Sequence, residues 1–298
     1  MRTHGRRRAG ALSAVGVAAE LVALLEHAGA ALALPRVRAL HLPPPSAAGS
    51  KDGEFCALEL DDGSCGLSYV LLDDTLPVLR GGRDGRDLAG ADALALARGY
   101  AGGRGAQRAV GFAAVNALTR HLCDRAGFRP GDAADSIGGL DLRPGGRVGM
   151  IGLFPPLVKA IVARGAPLTV LELKAGLAGA HEGWQVTLDP RELAGCLQVL
   201  STSTVLLNDT LDAVLEACRG AERMVLVGPG AGCLPDPLFA RGVHALAGTW
   251  IEDADAFRAA LLRGEPWGRH ARKVMLERKD WPGFEAVLAR AVGSARRT

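Results

Sequence analysis

The sequence predicts an α/β protein in two parts, an N-terminal α+β domain and a C-terminal domain built on a mainly parallel sheet. Three observations lead to this prediction. A strong hairpin signal lies in the first third of the chain, two alanine-rich helical stretches follow it, and short apolar strands alternate with helices after residue 146. Strands that are apolar on both faces and alternate with helices are typical of a parallel sheet covered by helices.

The N-terminal domain is predicted over residues 12–127. Asp61-Asp62-Gly63 separates two apolar segments, and this turn chemistry predicts a hairpin. Apolar residues at helical spacing predict the first helix, which Gly29 should end. The predicted elements are a helix at 15–28, strands at 55–60 and 66–72, and helices at 88–101 and 107–126.

The C-terminal domain is predicted over residues 133–298. A stretch at 127–146 that is rich in Gly, Asp and Pro is the predicted linker before it. Because connections between parallel strands are right-handed, the alternation of strands and helices predicts a Rossmann-like sheet. The predicted strands lie at 147–152, 168–173, 197–200, 224–228 and 243–251, and the predicted helices at 155–164, 210–218 and 253–262.

The composition bears on partners and location. The 298 residues carry a net charge of +3, much of it from Arg2, Arg6, Arg7 and Arg8. Acids and bases nearly balance elsewhere, so we expect no nucleic-acid partner. The apolar stretch at 11–34 is interrupted by Glu and His, so no membrane span is expected. Six scattered cysteines predict reduced thiols in a cytoplasmic protein without a structural metal site. The alanine-rich helices are compatible with a homodimer.

The first two strands end in turns that favour no particular ligand. Gly152 is followed by Leu153, Phe154, Pro155 and Pro156, where a dinucleotide fold would place a glycine-rich phosphate loop. The prolines remove main-chain donors, so this is poor phosphate-binding chemistry. Two interpretations stay open, a helix-entry turn packed by Phe154 and an aromatic-faced ligand pocket. Glu172 follows the second strand and is expected to contact either a ligand hydroxyl or amine, or a nearby cation such as Lys174.

Hydroxyl and amide side chains follow the third strand, and a glycine-rich turn follows the fourth. Hydroxyl groups both donate and accept hydrogen bonds, which suits a polar ligand. One residue of the group before the next helix is expected to be its N-cap. Glycines let a ligand approach the main chain, and a cysteine nucleophile would need an activating base. The two groups are Thr202, Ser203, Thr204, Asn208, Asp209 and Thr210, and then Gly228, Pro229, Gly230, Gly232 and Cys233.

Several motifs in their order along the chain resemble the family called "putative heavy-metal chelation". The resemblance covers most of the chain after the first dozen residues, and 58–70 resembles the small N-terminal sheet of that family. The motifs are GFAAVNAL at 111–118, VGMIGLFP at 148–155, LE at 171–172, STVLLNDTL at 203–211, LVGP at 226–229 and VHALAG at 243–248.

The resemblance implies an enolase-N-terminal-like domain followed by a Rossmann-like domain, with a ligand site in the cleft between them. It also implies a role in handling small metal chelators, and it supplies no established reaction. Two departures fall in the implied site. The family commonly has Ser or Thr after its Gly-Pro, where this chain has Gly230, and it often has Asn-Gly-Thr where Asp209 stands. We therefore expect this member to prefer a different ligand or chemistry.

The leading hypothesis is a protein that binds a small polar or metal-chelating molecule in the interdomain cleft, with modification of that molecule left open. A metal ion is expected only as part of such a chelate. Asn116 is predicted to face the hydroxyl groups and the 228–232 turn, with Phe154 stacked on a planar ligand group. Asp209 and Glu172 are the candidates for proton transfer. The alternatives are a non-catalytic chelate or metabolite carrier and a Rossmann enzyme that uses a nucleotide cofactor.

Overall fold

The structure, a computed structural model, describes residues 16–50, 53–82, 87–133 and 137–295. The arginine run at 2–8 lies outside the described residues. The chain is a mixed α/β protein with a large, mostly parallel sheet and a smaller antiparallel sheet, so the predicted fold class is confirmed. The predicted domain bounds stay a prediction.

The described segments contain helices and strands over most of their length. The helices are α1 Val17–Ala31, α2 Thr75–Gly81, α3 Ala93–Gly102, α4 Gly105–Arg125, α5 Pro155–Val162, α6 Leu211–Ala217, α7 Asp236–Phe239, α8 Ala254–Arg263 and α9 Phe284–Ala295. The strands are β1 Val37–His41, β2 Phe55–Leu60, β3 Cys65–Tyr69, β4 Gly131–Asp132, β5 Val148–Ile151, β6 Leu168–Leu171, β7 Gly179–His181, β8 Trp184–Thr187, β9 Gln198–Thr202, β10 Arg223–Val227, β11 Ala245–Ile251 and β12 Ala271–Glu277.

The smaller sheet is an antiparallel meander of β1, β2 and β3. Its hairpin of β2 and β3 forms where the Asp-Asp-Gly turn predicts it. One face of the sheet packs on α4, and the contact is unusually close at Gly66. A Cβ atom at that position would lie 2.1 Å from the main-chain oxygen of Ala113, so only glycine fits there. This close approach holds α4 at a fixed distance from the sheet.

The larger sheet has the strand order β4-β12-β11-β10-β9-β5-β6-β8-β7. The six strands from β11 to β8 are parallel. At the edges, β12 pairs antiparallel with β11, β4 with β12, and β7 with β8. Numbered by chain order, the parallel strands run 6-5-4-1-2-3, which is the order of a doubly wound sheet. The order reverses between β5 and β9. In such sheets ligands bind outside the carboxyl ends of the strands at this switch point.

The core is shared by both parts of the chain. One buried cluster contains Leu21 and Leu118 from the N-terminal elements together with Leu226 and Leu246 from the larger sheet. A second cluster fills the space between α5 and the opposite face of that sheet, with Ile161 and Met150 among its members. The two parts are therefore packed on each other through a continuous apolar interface.

Several elements were absent from the sequence prediction. β1, β12, α2, α9 and the hairpin of β7 and β8 form outside the predicted strands and helices. The predicted linker at 127–146 supplies β4, which pairs with β12. The first helix runs past Gly29 to Ala31 instead of ending there. The missed strands are short, so their structure depends on the neighbouring strand that each one pairs with.

Candidate functional site

The four predicted turns emerge side by side at the carboxyl edge of the larger sheet. Ile151 is aligned with Ser201 on one side and Leu171 on the other, and Thr202 is aligned with Val227. Because neighbouring strands lie about 4.8 Å apart, the turns after β10, β9 and β5 fall within roughly 10 Å. A Cβ atom at Gly152 would lie 3.1 Å from Thr202 Cγ2. The sequence-predicted turns therefore meet at the switch point.

Asn116 of α4 joins this edge to the N-terminal unit. Its Nδ2 donates hydrogen bonds to the main-chain oxygens of Leu67, at 2.8 Å, and Gly230, at 3.0 Å. Both partners accept only, so the amide orientation is determined and Oδ1 must point away from them. Oδ1 is buried and has no hydrogen-bond partner among the described residues. A Cβ atom at the half-buried Gly232 would lie 3.8 Å from Oδ1.

Ser203 borders the same glycine-rich turn from the other side. Its Oγ would lie 2.3 Å from a Cβ atom at Gly228 and 3.8 Å from one at Gly230. Gly228 has φ of 144°, a left-handed conformation that favours glycine. Within the described part of the chain, the Ser203 hydroxyl makes no hydrogen bond. In contrast, the Thr202 and Thr204 hydroxyls bond each other at 3.0 Å, and Thr202 Oγ1 also accepts the Thr204 N–H.

Four side chains of α4, spaced four residues apart, make the contact with the C-terminal loops. Arg108 forms an ion pair with Asp209, and Phe112 Cε1 would lie 3.6 Å from a Cβ atom at Gly230. Asn116 is the third member of this stripe, and Arg120 Nη1 donates to the main-chain oxygen of Ile251 at 2.8 Å. Residues at this spacing lie on one helix face. Sequence reasoning identified Asn116 and missed its three companions, although their spacing was visible.

Asp209 lies at the end of this stripe, in the turn before α6. Its side chain is 84% exposed, its backbone is left-handed with φ of 48°, and its carboxylate contacts Arg108. Asn208 Oδ1 accepts hydrogen bonds from the Thr210 hydroxyl at 2.6 Å and from the Thr210 N–H at 3.3 Å. Thr210 occupies the N-cap position of α6, as the sequence predicts for one of these three residues. Its side chain makes no capping hydrogen bond, and Asn208 orders the turn.

Glu172 follows β6, and its side chain reaches the turn after β5. Its Oε1 accepts the main-chain N–H of Leu153 at 2.6 Å, and its Oε2 accepts the N–H of Leu173 at 3.1 Å. These are main-chain contacts, in place of the salt bridge that the sequence left open. α5 begins at Pro155 and Pro156, which have no N–H to offer. Phe154 is half-buried and packs against the cluster beneath α5. The turn therefore has few free donors for a phosphate.

Cys233 lies deep in the shared core. It is 1% exposed, and burial raises the pKa of its thiol to about 12. The thiol is therefore protonated at neutral pH, which disfavours a nucleophilic or metal-binding role. Across the described segments, no three side chains of His, Cys, Asp or Glu come together in a group that could hold a metal ion.

A surface groove of about 610 Å³ lies at the opposite end of the sheet. It is lined at the amino ends of β6 and β8, where the His181 and Trp184 rings stack at 4.0 Å. Trp184 is paired with Leu168, the residue before Thr169. Because successive residues of a strand point to opposite faces, the Trp184 and Thr169 side chains lie on opposite faces of the sheet. The groove therefore does not gather its polar and aromatic groups at one point, and it includes none of the predicted site residues.

The structure brings together one subset of the predicted residues. Gly152, Thr202, Ser203, Gly228, Gly230, Gly232 and Asn116 form a connected group around the switch point. Asp209 belongs to the same interface through Arg108. Phe154 lies in the turn after β5, Glu172 follows β6 and contacts that turn, and Cys233 lies in the core. Among the described helices, none has the length and apolar character that a membrane span requires.

This chain is a mixed α/β protein, and the strand order of its larger sheet reverses at a point where sheets of this kind bind ligands. The chain belongs to the family described as "putative heavy-metal chelation", whose two domain models, DUF4213 and DUF364, match residues 53–119 and 135–279. An uncharacterized protein from Methanocaldococcus jannaschii is 44% identical over 57 residues, or 19% of this chain. That match spans only 22% of the length of the relative.

Two crystal structures of DUF364-family proteins with unknown function share the fold. The protein from Desulfitobacterium hafniense is 21% identical with a TM-score of 0.62, and the alignment covers 86% of this chain and 98% of the other. The protein from Pyrococcus horikoshii is 17% identical with a TM-score of 0.62, covering 86% and 99%. At this identity the likeness establishes the fold alone.

Proposed function

We propose that this chain binds a small, polar, metal-chelating molecule between the 228–232 turn and α4, a place called the proposed cleft below. A metal would reach the protein as part of that chelate. The observation that carries the proposal is the position of two polar atoms, Asn116 Oδ1 and Ser203 Oγ, on either side of one glycine-rich turn. The membership in a family described by metal chelation supports a small-molecule or metal ligand.

The energetics of Asn116 support a ligand with a hydrogen-bond donor. A buried acceptor without a partner costs about 1–3 kcal/mol. An N–H or O–H group that enters beside Gly232 would remove this cost. Amines, hydroxamic acids and alcohols carry such donors, and all occur in chelators. The site is therefore expected to select for a donor next to the metal-binding groups.

The second candidate function is a carrier that binds the chelate without modifying it. It is favoured over an enzyme because the two candidate carboxylates are already occupied by other groups of the protein. Both oxygens of Glu172 accept main-chain N–H groups, and Asp209 is paired with Arg108. A general base needs a carboxylate that reaches the substrate, and neither group is free to do so without rearrangement. The contact of Glu172 with Leu153 also disfavours the nucleotide alternative, because it fills a donor that a phosphate would need.

Gly232→Ala tests the location of the site. The new methyl group would meet Asn116 at an ordinary contact distance of 3.8 Å, so the protein should fold normally while the space beside Oδ1 is filled. We expect the affinity for iron(III) citrate, measured by titration calorimetry, to fall about tenfold because the hydrogen bond to Oδ1 is lost. Ser203→Ala should weaken binding as well.

The matched control is Gly220→Ala, since nothing lies within 4 Å of its added methyl group. This variant should bind like the wild type. Unchanged iron(III) citrate binding by both Gly232→Ala and Ser203→Ala would show that the site has been misplaced. Selective thermal stabilisation by a nicotinamide cofactor or S-adenosylmethionine, without chelate binding, would instead favour the nucleotide enzyme.

A further inference from the structure

The ion pair between Arg108 and Asp209 is unequal. The arginine side chain is 18% exposed, whereas the aspartate side chain is 84% exposed. The Arg108 guanidinium lies 5.5 Å from the centre of the Tyr100 ring, and its Nη2 is 3.5 Å from the main-chain oxygen of Leu206. Its Nε is buried and has no hydrogen-bond partner in the described segments. Arg108 is therefore a fixed, partly desolvated cation, and Asp209 is a carboxylate that reaches it from solvent.

This asymmetry makes the aspartate replaceable. Pairs in which one partner is well exposed contribute little to stability, because water solvates the freed carboxylate. The guanidinium has the opposite requirement, since a charge held among protein groups needs an anion nearby. Another carboxylate that offers two oxygens would satisfy the planar guanidinium as well as Asp209 does. The arrangement thus resembles an anion site that the chain fills with its own side chain.

Arg108 also lies within reach of the proposed cleft. Leu206, which it contacts, is the last residue of the 3₁₀ turn that begins at Ser203. At a rise of about 2 Å per residue, this turn spans roughly 6 Å. Along α4, Phe112 lies one turn beyond Arg108 and contacts the Gly230 region. A molecule the size of a tricarboxylic acid covers the distance from Ser203 to the guanidinium.

We infer that Arg108 makes the cleft selective for carboxylate-bearing chelators, whose carboxylate takes the place of the Asp209 carboxylate on the guanidinium. The inference rests on the proposed function and names the ligand class of the same site. Asp209 then acts as an internal competitor that covers the cation when no ligand is bound. Removal of its charge should strengthen the binding of an anionic ligand, the opposite of what a catalytic or ligand-binding Asp209 would give.

Citrate and trimethyl citrate test the inference as a matched pair, because esterification removes the charges and keeps the carbon skeleton. For the wild type, calorimetry should give tighter binding of citrate than of the ester. Arg108→Gln should weaken citrate binding about tenfold or more, as expected for loss of a charged hydrogen bond, and leave the ester unchanged. Arg108→Lys keeps the charge without the planar fork and should give a smaller loss. Asp209→Asn should tighten citrate binding by about two- to fivefold.

Arg98→Gln is the control, because Arg98 forms an exposed pair with Glu26 on the same unit. It should bind both compounds like the wild type. Equal citrate affinity in Arg108→Gln and wild type, weaker citrate binding by Asp209→Asn, or no citrate binding by the wild type would each overturn the inference. A stronger preference for inorganic phosphate than for citrate would also overturn it.

The same titrations separate this inference from the proposed site. If Gly232→Ala abolishes citrate binding while Arg108→Gln has no effect, the proposed binding site is supported and the role of Arg108 in carboxylate selectivity is contradicted. If Arg108→Gln weakens citrate binding and Gly232→Ala leaves the citrate affinity unchanged, citrate binds at Arg108 outside the proposed cleft, and the proposed cleft is wrong.

Discussion

Gly228→Ala should destabilise the protein through a contact with one identified atom. The added Cβ would lie 2.3 Å from Ser203 Oγ and 3.3 Å from Ser203 Cβ. A carbon and an oxygen atom normally approach to about 3.3–3.6 Å, so the serine hydroxyl must rotate away or the turn and the serine must separate by roughly 1 Å. The position also has φ of 144°, which alanine adopts only with strain.

The close contact with Ser203 and the backbone strain each contribute separately to the loss of stability. Inserting a methyl group into a packed site costs about 1–3 kcal/mol, and a residue held in a glycine-type conformation costs a further 1–3 kcal/mol or so. We therefore expect Gly228→Ala to lower the free energy of unfolding by about 2–6 kcal/mol. Ser203→Ala removes the hydroxyl and leaves the backbone strain. In that background the cost of Gly228→Ala should shrink by about 1–2 kcal/mol.

Urea unfolding of the wild type, the two single variants and the double variant, followed by circular dichroism, gives the interaction energy. The reasoning fails if Gly228→Ala costs the same with and without the serine hydroxyl. It also fails if the single substitution costs less than about 0.5 kcal/mol, the level of an ordinary surface change.

Two further predictions concern buried and paired groups. Cys233 should resist alkylation by iodoacetamide at pH 8 in the folded protein and react after denaturation, because its pKa is raised to about 12 by burial; rapid labelling of the native thiol would contradict this. Burial alone would raise the pKa of Asp62, but hydrogen bonds from His121 and Ser64 outweigh it and lower the pKa. Asp62 therefore stabilises the fold above about pH 4, and this contribution is lost as the pH falls through the lowered pKa. Asp62→Asn should reduce stability more at pH 7 than at pH 2 in urea titrations, and an equal loss at both values would exclude the pairing as the cause.

The local signals in the sequence predicted the local structure well. The turn at Asp61-Asp62-Gly63 and the apolar segments beside it predicted the hairpin of β2 and β3, because turn residues and strand pattern act over a few positions. The strand ends after 146 predicted which turns would meet, since parallel strands present their carboxyl ends at one edge. Those turns contain most of the connected group around the switch point.

The contacts between distant segments were not predictable in this way. Asn116 and Gly230 are 114 positions apart, and Arg108 and Asp209 are 101 apart. A single sequence has no signal that pairs such residues, because their contact depends on how α4 packs against the larger sheet. β12 and β4 escaped prediction for the same reason, as each is a strand only in the presence of its neighbour.

The amino-acid pattern of this chain was sufficient for the fold class, the hairpin and the position of the polar turns, because each depends on residues close together in sequence. The partner of each polar side chain was determined only by the three-dimensional arrangement. Glu172 and Asp209 have the same chemistry in the sequence, yet one carboxylate binds main-chain N–H groups and the other covers a guanidinium. Hydrogen bonding and charge pairing act over a few ångströms, so only packing determines which partners lie within that range.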